Sequence, residues 1–189
     1  MTKAARTGSA ALTGYRYVHE AAADPVLGAF VTDYLQLEAR PTVPDVPGVD
    51  LDDYVTGLLA RFANPAIRDT VARLCGGASD KIPKWVLPVV RQNLAARRPV
   101  TLAATLIASW ATYAEGLDEA GRPIEVIDAL HEEITERARL QRTDSLSFVA
   151  NERVFGDLAR QPAFAEPYLH ALDSFRRLGA RHTLAGVSR

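Results

Sequence analysis

The run Pro99-Val-Thr-Leu-Ala-Ala-Thr-Leu-Ile-Ala-Ser-Trp-Ala-Thr-Tyr113 is the most apolar in the chain, and its large residues Leu102, Leu106, Trp110 and Tyr113 recur at helical spacing. Side chains that return every three or four residues share one face of a helix, whereas a strand would alternate them. Pro99 gives the run a stiff opening, and the Gly- and Pro-rich stretch from Gly116 to Pro123 closes it. Thr105 and Ser109 interrupt it, and it falls well short of the roughly 20 apolar residues of a spanning helix, so no membrane partner is expected.

The same period repeats on either side. Leu12, Tyr15, Val18 and Ala22 predict one helix that ends at Asp24-Pro25, a cap followed by a first-turn proline. Val26, Leu27, Phe30, Val31, Tyr34 and Leu35 predict the next, stopping before Pro41. Pro41, Pro44 and Pro47 make an extended connection. Asp50 then caps a helix striped by Tyr54, Val55, Leu58, Leu59 and Phe62, with Asp52 and Asp53 complementing its dipole. Asn64-Pro65 opens a short helix carrying Ile67, Val71 and Leu74. Gly76 to Lys81 reads as a polar loop, and Pro88 as a kink or a new start within Pro83 to Ala96.

The last third is more polar. Ile127, Leu130, Ile134 and Ala138 give one amphipathic helix, Leu146, Phe148 and Phe155 a mixed segment, and Tyr168, Leu172, Phe175 and Leu178 a final helix. Gly179 ends that helix, and residues 180–189 are expected to fray. No strand-like alternation is found. The expectation is an all-α, multi-helix fold, with residues 1–189 as one domain.

Charge and composition exclude several functions. The 22 Lys and Arg balance 23 Asp and Glu, a net charge of −1, so there is no concentrated basic face for nucleic acid. The one cysteine, Cys75, permits neither an internal disulfide nor a thiolate zinc cage, and its plain reading is a small buried hydrophobe. With no apolar segment behind Met1 to Ser9, a cytoplasmic location is expected. His19, His131, His170 and His182 lie apart, so no metal site is expected. Neither glycine fingerprint for a bound phosphate occurs, and no cofactor-binding residue is assigned. Asp52-Asp53 and Glu132-Glu133 suit helix first turns. The arginines near positions 91–98 and 137–142 suit solvated faces.

One segment stands apart: Arg73-Leu-Cys-Gly-Gly-Ala-Ser-Asp-Lys81-Ile-Pro-Lys84. A helix ends at a flexible Gly-Gly, and the chain then gathers a guanidinium, a hydroxyl and two ammonium groups around Pro83. Arg73 brings a rigid donor fork and Lys81 a compact charge, a pair able to converge on a small polyhydroxylated or anionic ligand. The plainer alternative has Arg73 capping its own helix C-terminus and Lys81 in solvent.

The ladder Asp50-Leu-Asp-Asp-Tyr54, Leu59-Ala-Arg-Phe-Ala-Asn-Pro65, Arg68-Asp-Thr70, Arg73-Leu74, Ser79-Asp-Lys-Ile-Pro-Lys84 and Leu87-Pro88, preceded by Gly14-Tyr-Arg-Tyr-Val-His-Glu20 and Asp24-Pro25, resembles the C-terminal domain of the mannitol dehydrogenase family, the long-chain polyol dehydrogenases. The resemblance implies the helical substrate domain of a two-domain dehydrogenase that lacks, in this chain, its nucleotide-binding half. It implies NAD or NADP bound mainly by that half, which is the expected partner domain. It further implies metal-independent hydride transfer and, as substrate, a small polyol, keto-sugar or sugar acid of the mannitol or fructuronate type. It places Arg73 and Lys81 on substrate hydroxyls. The family's Lys, Asn and His signature falls, without gaps, before Met1 for the first two and at Lys3 for the last, so no catalytic residue is assigned here. On this reading the chain alone is inactive, with apolar surface bared near Leu12 and Tyr15. A non-catalytic remnant or helical scaffold is the alternative. A helical transcriptional regulator fits less well, because the first fifty residues hold few bases.

Overall fold

The computed structural model describes residues 7–45 and 47–188, so Lys3 lies outside the described residues. Among these residues there is no strand, only two isolated antiparallel bridges, Tyr17 with Thr70 and Leu117 with Pro123. The all-α expectation holds.

The predicted first helix is two helices, α1 (Thr7–Leu12) and α2 (Val18–Ala23). Gly14 lies between them with φ +79°, a left-handed conformation that no helix contains and that glycine adopts without penalty. Leu12 is buried and Tyr15 is half-buried against the core, its hydroxyl donating to Asp24 at 2.7 Å, so little of the apolar surface expected there is bared.

Asp24 caps α3 (Pro25–Asp33), accepting from the amides of Val26 at 2.8 Å and Leu27 at 3.2 Å. Instead of stopping before Pro41, the chain widens into a π turn over Tyr34–Ala39 and tightens into a 3-10 turn over Arg40–Thr42. The predicted α4 (Leu51–Ala63) forms under its Asp50 cap but contributes no buried residue.

After a 3-10 turn at Pro65–Ile67, Arg68 is left-handed and α5 (Val71–Cys75) starts later than Asn64-Pro65 suggested, capped by Thr70. The expected polar loop is in fact the start of α6 (Ala78–Trp85), because Gly77 offers its carbonyl to the amides of Asp80 and Lys81. Pro88 marks a new start, α7 (Leu87–Ala95), where its missing N–H costs nothing.

The axis of the fold is α8 (Thr101–Tyr113), eleven of whose residues are buried. Trp110 meets Phe148 edge-on at 4.9 Å and Phe155 at 5.8 Å, so the mixed segment supplies one wall of the core. Then come α9 (His131–Leu140), α10 (Glu152–Phe155) and α11 (Pro162–Val187). Helix α11 packs along α8.

The tail does not fray. Gly179 breaks α11 with φ 78°, as its position suggested, but the helix resumes and runs to Val187, burying Ala180, Thr183 and Leu184. Arg181 pairs with the buried Asp24 carboxylate, and Glu119 receives the Ala180 amide. Apolar spacing alone gives no warning of these polar tethers. Deleting residues 180–189 should lower stability by at least about 2 kcal/mol, the low end of the cost of losing one buried leucine, measured by urea unfolding.

Glu38, on the π turn, caps α8 from across the structure. Its oxygens accept from Leu102 N at 2.7 Å and Ala103 N at 2.8 Å, while its own carbonyl accepts from Asn93 Nδ2 at 2.8 Å. Burial pushes its carboxyl up from the ordinary 4.5 to about 7, outweighing the two amide donors. Folded Glu38 therefore holds its proton more tightly than unfolded Glu38, and its contribution to stability is lost as pH rises from about 4.5 to about 7. Unfolding free energies across that window should fall by up to about 3 kcal/mol more in the natural chain than in E38Q, which cannot titrate.

Candidate functional site

The region around Arg73 is built by the Tyr17–Thr70 bridge. Val18 N donates to Asp69 O at 2.9 Å and Val71 N to Arg16 O at 3.0 Å, so residues 16–19 lie against the entry to α5. Thr70 Oγ1 accepts from Arg73 N at 3.3 Å, fixing the turn from which Arg73 projects. The Asp69 side chain, only 10% exposed, holds the Arg73 guanidinium by Nε at 2.5 Å and by Nη2, while the Arg73 side chain itself remains 63% exposed. A small cavity of about 130 Å³ lies here, lined in part by His19, Asn64, Asp69 and Arg73.

Lys81 turns elsewhere. From the first turns of α6 its ammonium reaches back to the carbonyls of Leu74, at 3.1 Å, and of Gly76. The structure thus reverses the plainer alternative: Lys81 satisfies the C-terminal carbonyls of α5, and Arg73 pairs toward the N-terminus. The Arg73 and Lys81 heads are thus held toward opposite ends of α5, each already by a protein partner.

The Gly-Gly break between them is pinned from outside. Gly77 N donates to Ile127 O at 2.9 Å, and Asp128 accepts from Ser79 N at 2.9 Å, from the Ser79 hydroxyl and from Leu130 N at 2.9 Å. The segment before α9 therefore braces the start of α6. Spacing within the chain gives no signal for this, because Ser79 and Asp128 meet only through the fold.

A second feature missed by sequence reasoning is the cluster at Tyr17. The Arg16 guanidinium lies 5.3 Å from the Tyr17 ring centroid and that of Arg68 5.5 Å, and Arg68 Nη2 donates to the Tyr17 hydroxyl at 3.4 Å. Arg68, then Arg16, hold the Tyr17 phenol below its ordinary range. His19 stacks on Tyr17 at 5.6 Å.

Cys75 offers no chemistry. Burial pushes its thiol up to about 12, with the Lys81 charge and a bond to Tyr113 acting in the opposite direction. Its modification by a disulfide reagent at pH 8 should wait on unfolding, becoming fast only in denaturant. Among the described residues no group of three His, Cys, Asp or Glu could hold a metal ion, and no helix is long and apolar enough to cross a membrane.

Among the described residues the chain is a strand-free helical domain, with Arg73 and Lys81 held at the two ends of α5. The family model described as the mannitol dehydrogenase C-terminal domain matches residues 4–176, and the chain belongs to that family. The mannitol 2-dehydrogenase of Aspergillus fumigatus is 35% identical over 174 residues, which are 92% of this chain and 35% of that protein. The mannitol 2-dehydrogenase of Pyrenophora tritici-repentis is 35% identical over 170 residues, 89% of this chain and 30% of that protein. The chain spans about a third of the length of these relatives. The Pseudomonas fluorescens mannitol 2-dehydrogenase, solved as a ternary complex with NAD and D-mannitol, superposes with a TM-score of 0.94 at 33% identity, covering 98% of this chain and 38% of that one. A substrate-free D-sorbitol dehydrogenase, at TM-score 0.87 and 21% identity over 97% of this chain and 38% of that one, shares the fold.

Proposed function

We propose that this chain is the substrate-binding domain of an NAD- or NADP-linked oxidoreductase acting on a polyol or keto-sugar, with Arg73 and Lys81 as its substrate-binding residues. The observation that carries this reading is the superposition over 98% of the chain on a mannitol 2-dehydrogenase solved with NAD and D-mannitol. The chemistry of the two heads agrees with it. A guanidinium fork locked by Asp69 presents its remaining N–H groups in a fixed direction, and an ammonium with two protons on carbonyls retains a third donor for a hydroxyl oxygen.

The nicotinamide, when bound, takes or gives the hydride. The resemblance assigns dinucleotide binding mainly to a nucleotide-binding domain, and no cofactor-binding residue is assigned to this chain. The general acid/base lysine and polarising asparagine implied by the resemblance also fall outside. This chain's own part is to bind and orient hydroxyls, with no metal ion. The whole enzyme would work in the cytoplasm.

Two measurements test the proposal on the purified chain. It should not oxidise NADH in the presence of D-fructose. In a titration with D-mannitol followed by ¹H–¹⁵N NMR, amides of residues 69–81 should shift in a saturable way, and R73A and K81A should each weaken that response by roughly fivefold to tenfold, the loss of one or two hydroxyl contacts. Turnover by the chain alone, or shifts confined to another face, would overturn it.

A further inference from the structure

Large apolar side chains are bared beside α4, the helix that packs on α2. Tyr54 is 60% exposed and Trp85, at the end of α6, 52% exposed. They border a cleft of about 430 Å³ whose floor includes the buried Leu35 of the π turn and whose walls include Phe62, Arg40 and Arg61. That volume lies within the range of small-ligand sites, and its makeup of rings with a few polar heads is theirs too.

The two arginines narrow the class of ligand. Arg40 is restrained, Nη1 donating to Val43 O at 3.4 Å and Nη2 to Asp45 at 2.9 Å, and Asp45 is itself 89% exposed, so that ion pair is weak and open to exchange. The Arg61 guanidinium has no hydrogen-bond or ion-pair partner among the described residues. An unpaired guanidinium beside aromatic rings takes a carboxylate with its fork while the rings cover an apolar body. Asp50, Asp52 and Asp53, at the opposite end of α4, disfavour a second negative charge on the same ligand.

From this we infer that the cleft between α4, the Tyr34–Thr42 segment and the end of α6 binds a small amphipathic anion, a flat apolar body bearing one carboxylate. Arg61 and Phe62 also line the small cavity that contains Arg73, so the two sites share a wall. The inference does not depend on the polyol reading, because neither Arg73 nor Lys81 contributes to the cleft.

The test uses the chain as it stands, with hydrocinnamate as the anionic probe and hydrocinnamyl alcohol as its neutral counterpart. Of the two tryptophans, Trp110 is 1% exposed and reports folding, whereas Trp85 lies on the cleft. Hydrocinnamate should change Trp85 emission saturably. The alcohol should bind about tenfold more weakly, and R61A should weaken the carboxylate by a similar factor while leaving the alcohol unchanged. In W85F the optical signal should vanish while calorimetry still detects binding. Equal affinity for acid and alcohol, no effect of R61A, or no saturation up to tens of millimolar would overturn the assignment. So would concentration-dependent self-association of the chain that hydrocinnamate fails to reverse, which would make a second copy the occupant.

Discussion

The buried carboxylate of Glu38 at the N-terminus of α8 is the contact on which the rest of the fold depends. Leu102 and Ala103 in the first turn of α8 are buried, so their N–H groups cannot reach water, and the flanking residue Val100 has no side-chain oxygen to satisfy them. The acceptor has to come from elsewhere, and it comes from the π turn that follows α3. A regular α-helix through Tyr34–Ala39 would rotate Glu38 by a different amount, so the wide turn is tied to the capping of α8. Asn93 holds the same turn from α7. Glu38 thus joins the π turn to α8 through its carboxyl group and to α7 through its backbone carbonyl, at the cost of desolvating an acid.

Asp24 does similar work at the start of α3, the helix that the π turn ends. Burial acts to raise its pKa, yet Tyr15, the Leu27 and Val26 amides and Arg181 together hold the carboxyl below its ordinary value. It caps α3 and receives the last helix in the same act. Both acids share a design: a helix end that cannot be hydrated is satisfied by a side chain that then fixes a distant element.

The helices themselves were legible because their apolar faces repeat every three to four residues, and the caps Asp24 and Asp50 because Ser, Thr, Asn and Asp before an apolar run have one dominant use. What escaped was set by tertiary contact. Spacing cannot show that Gly14 is left-handed, that Gly77 starts a helix instead of ending a loop, or that Arg181 is anchored by an acid 157 residues away. The segment holding Arg73 and Lys81 stood out by residue type. The partners that orient those heads, Asp69 and the α5 carbonyls, required the fold, as did the meeting of Ser79 with Asp128 across the Gly-Gly break.

On the proposed reading, those partners bear on how such a domain would serve a separate nucleotide-binding half. A substrate surface assembled on flexible side chains would lose entropy each time a polyol bound, and long Lys and Arg chains are among the most expensive to order. Here the ordering is already done within the domain: Asp69 holds the guanidinium, two carbonyls hold the ammonium, and the Ile127–Asp128 segment stiffens the glycines between them. The same partners have a cost, since each bond to protein is a donor withheld from ligand. On the proposed reading, weak binding by the domain alone, with specificity completed by a second domain over the hydroxyls, is the division of labour that such partners favour.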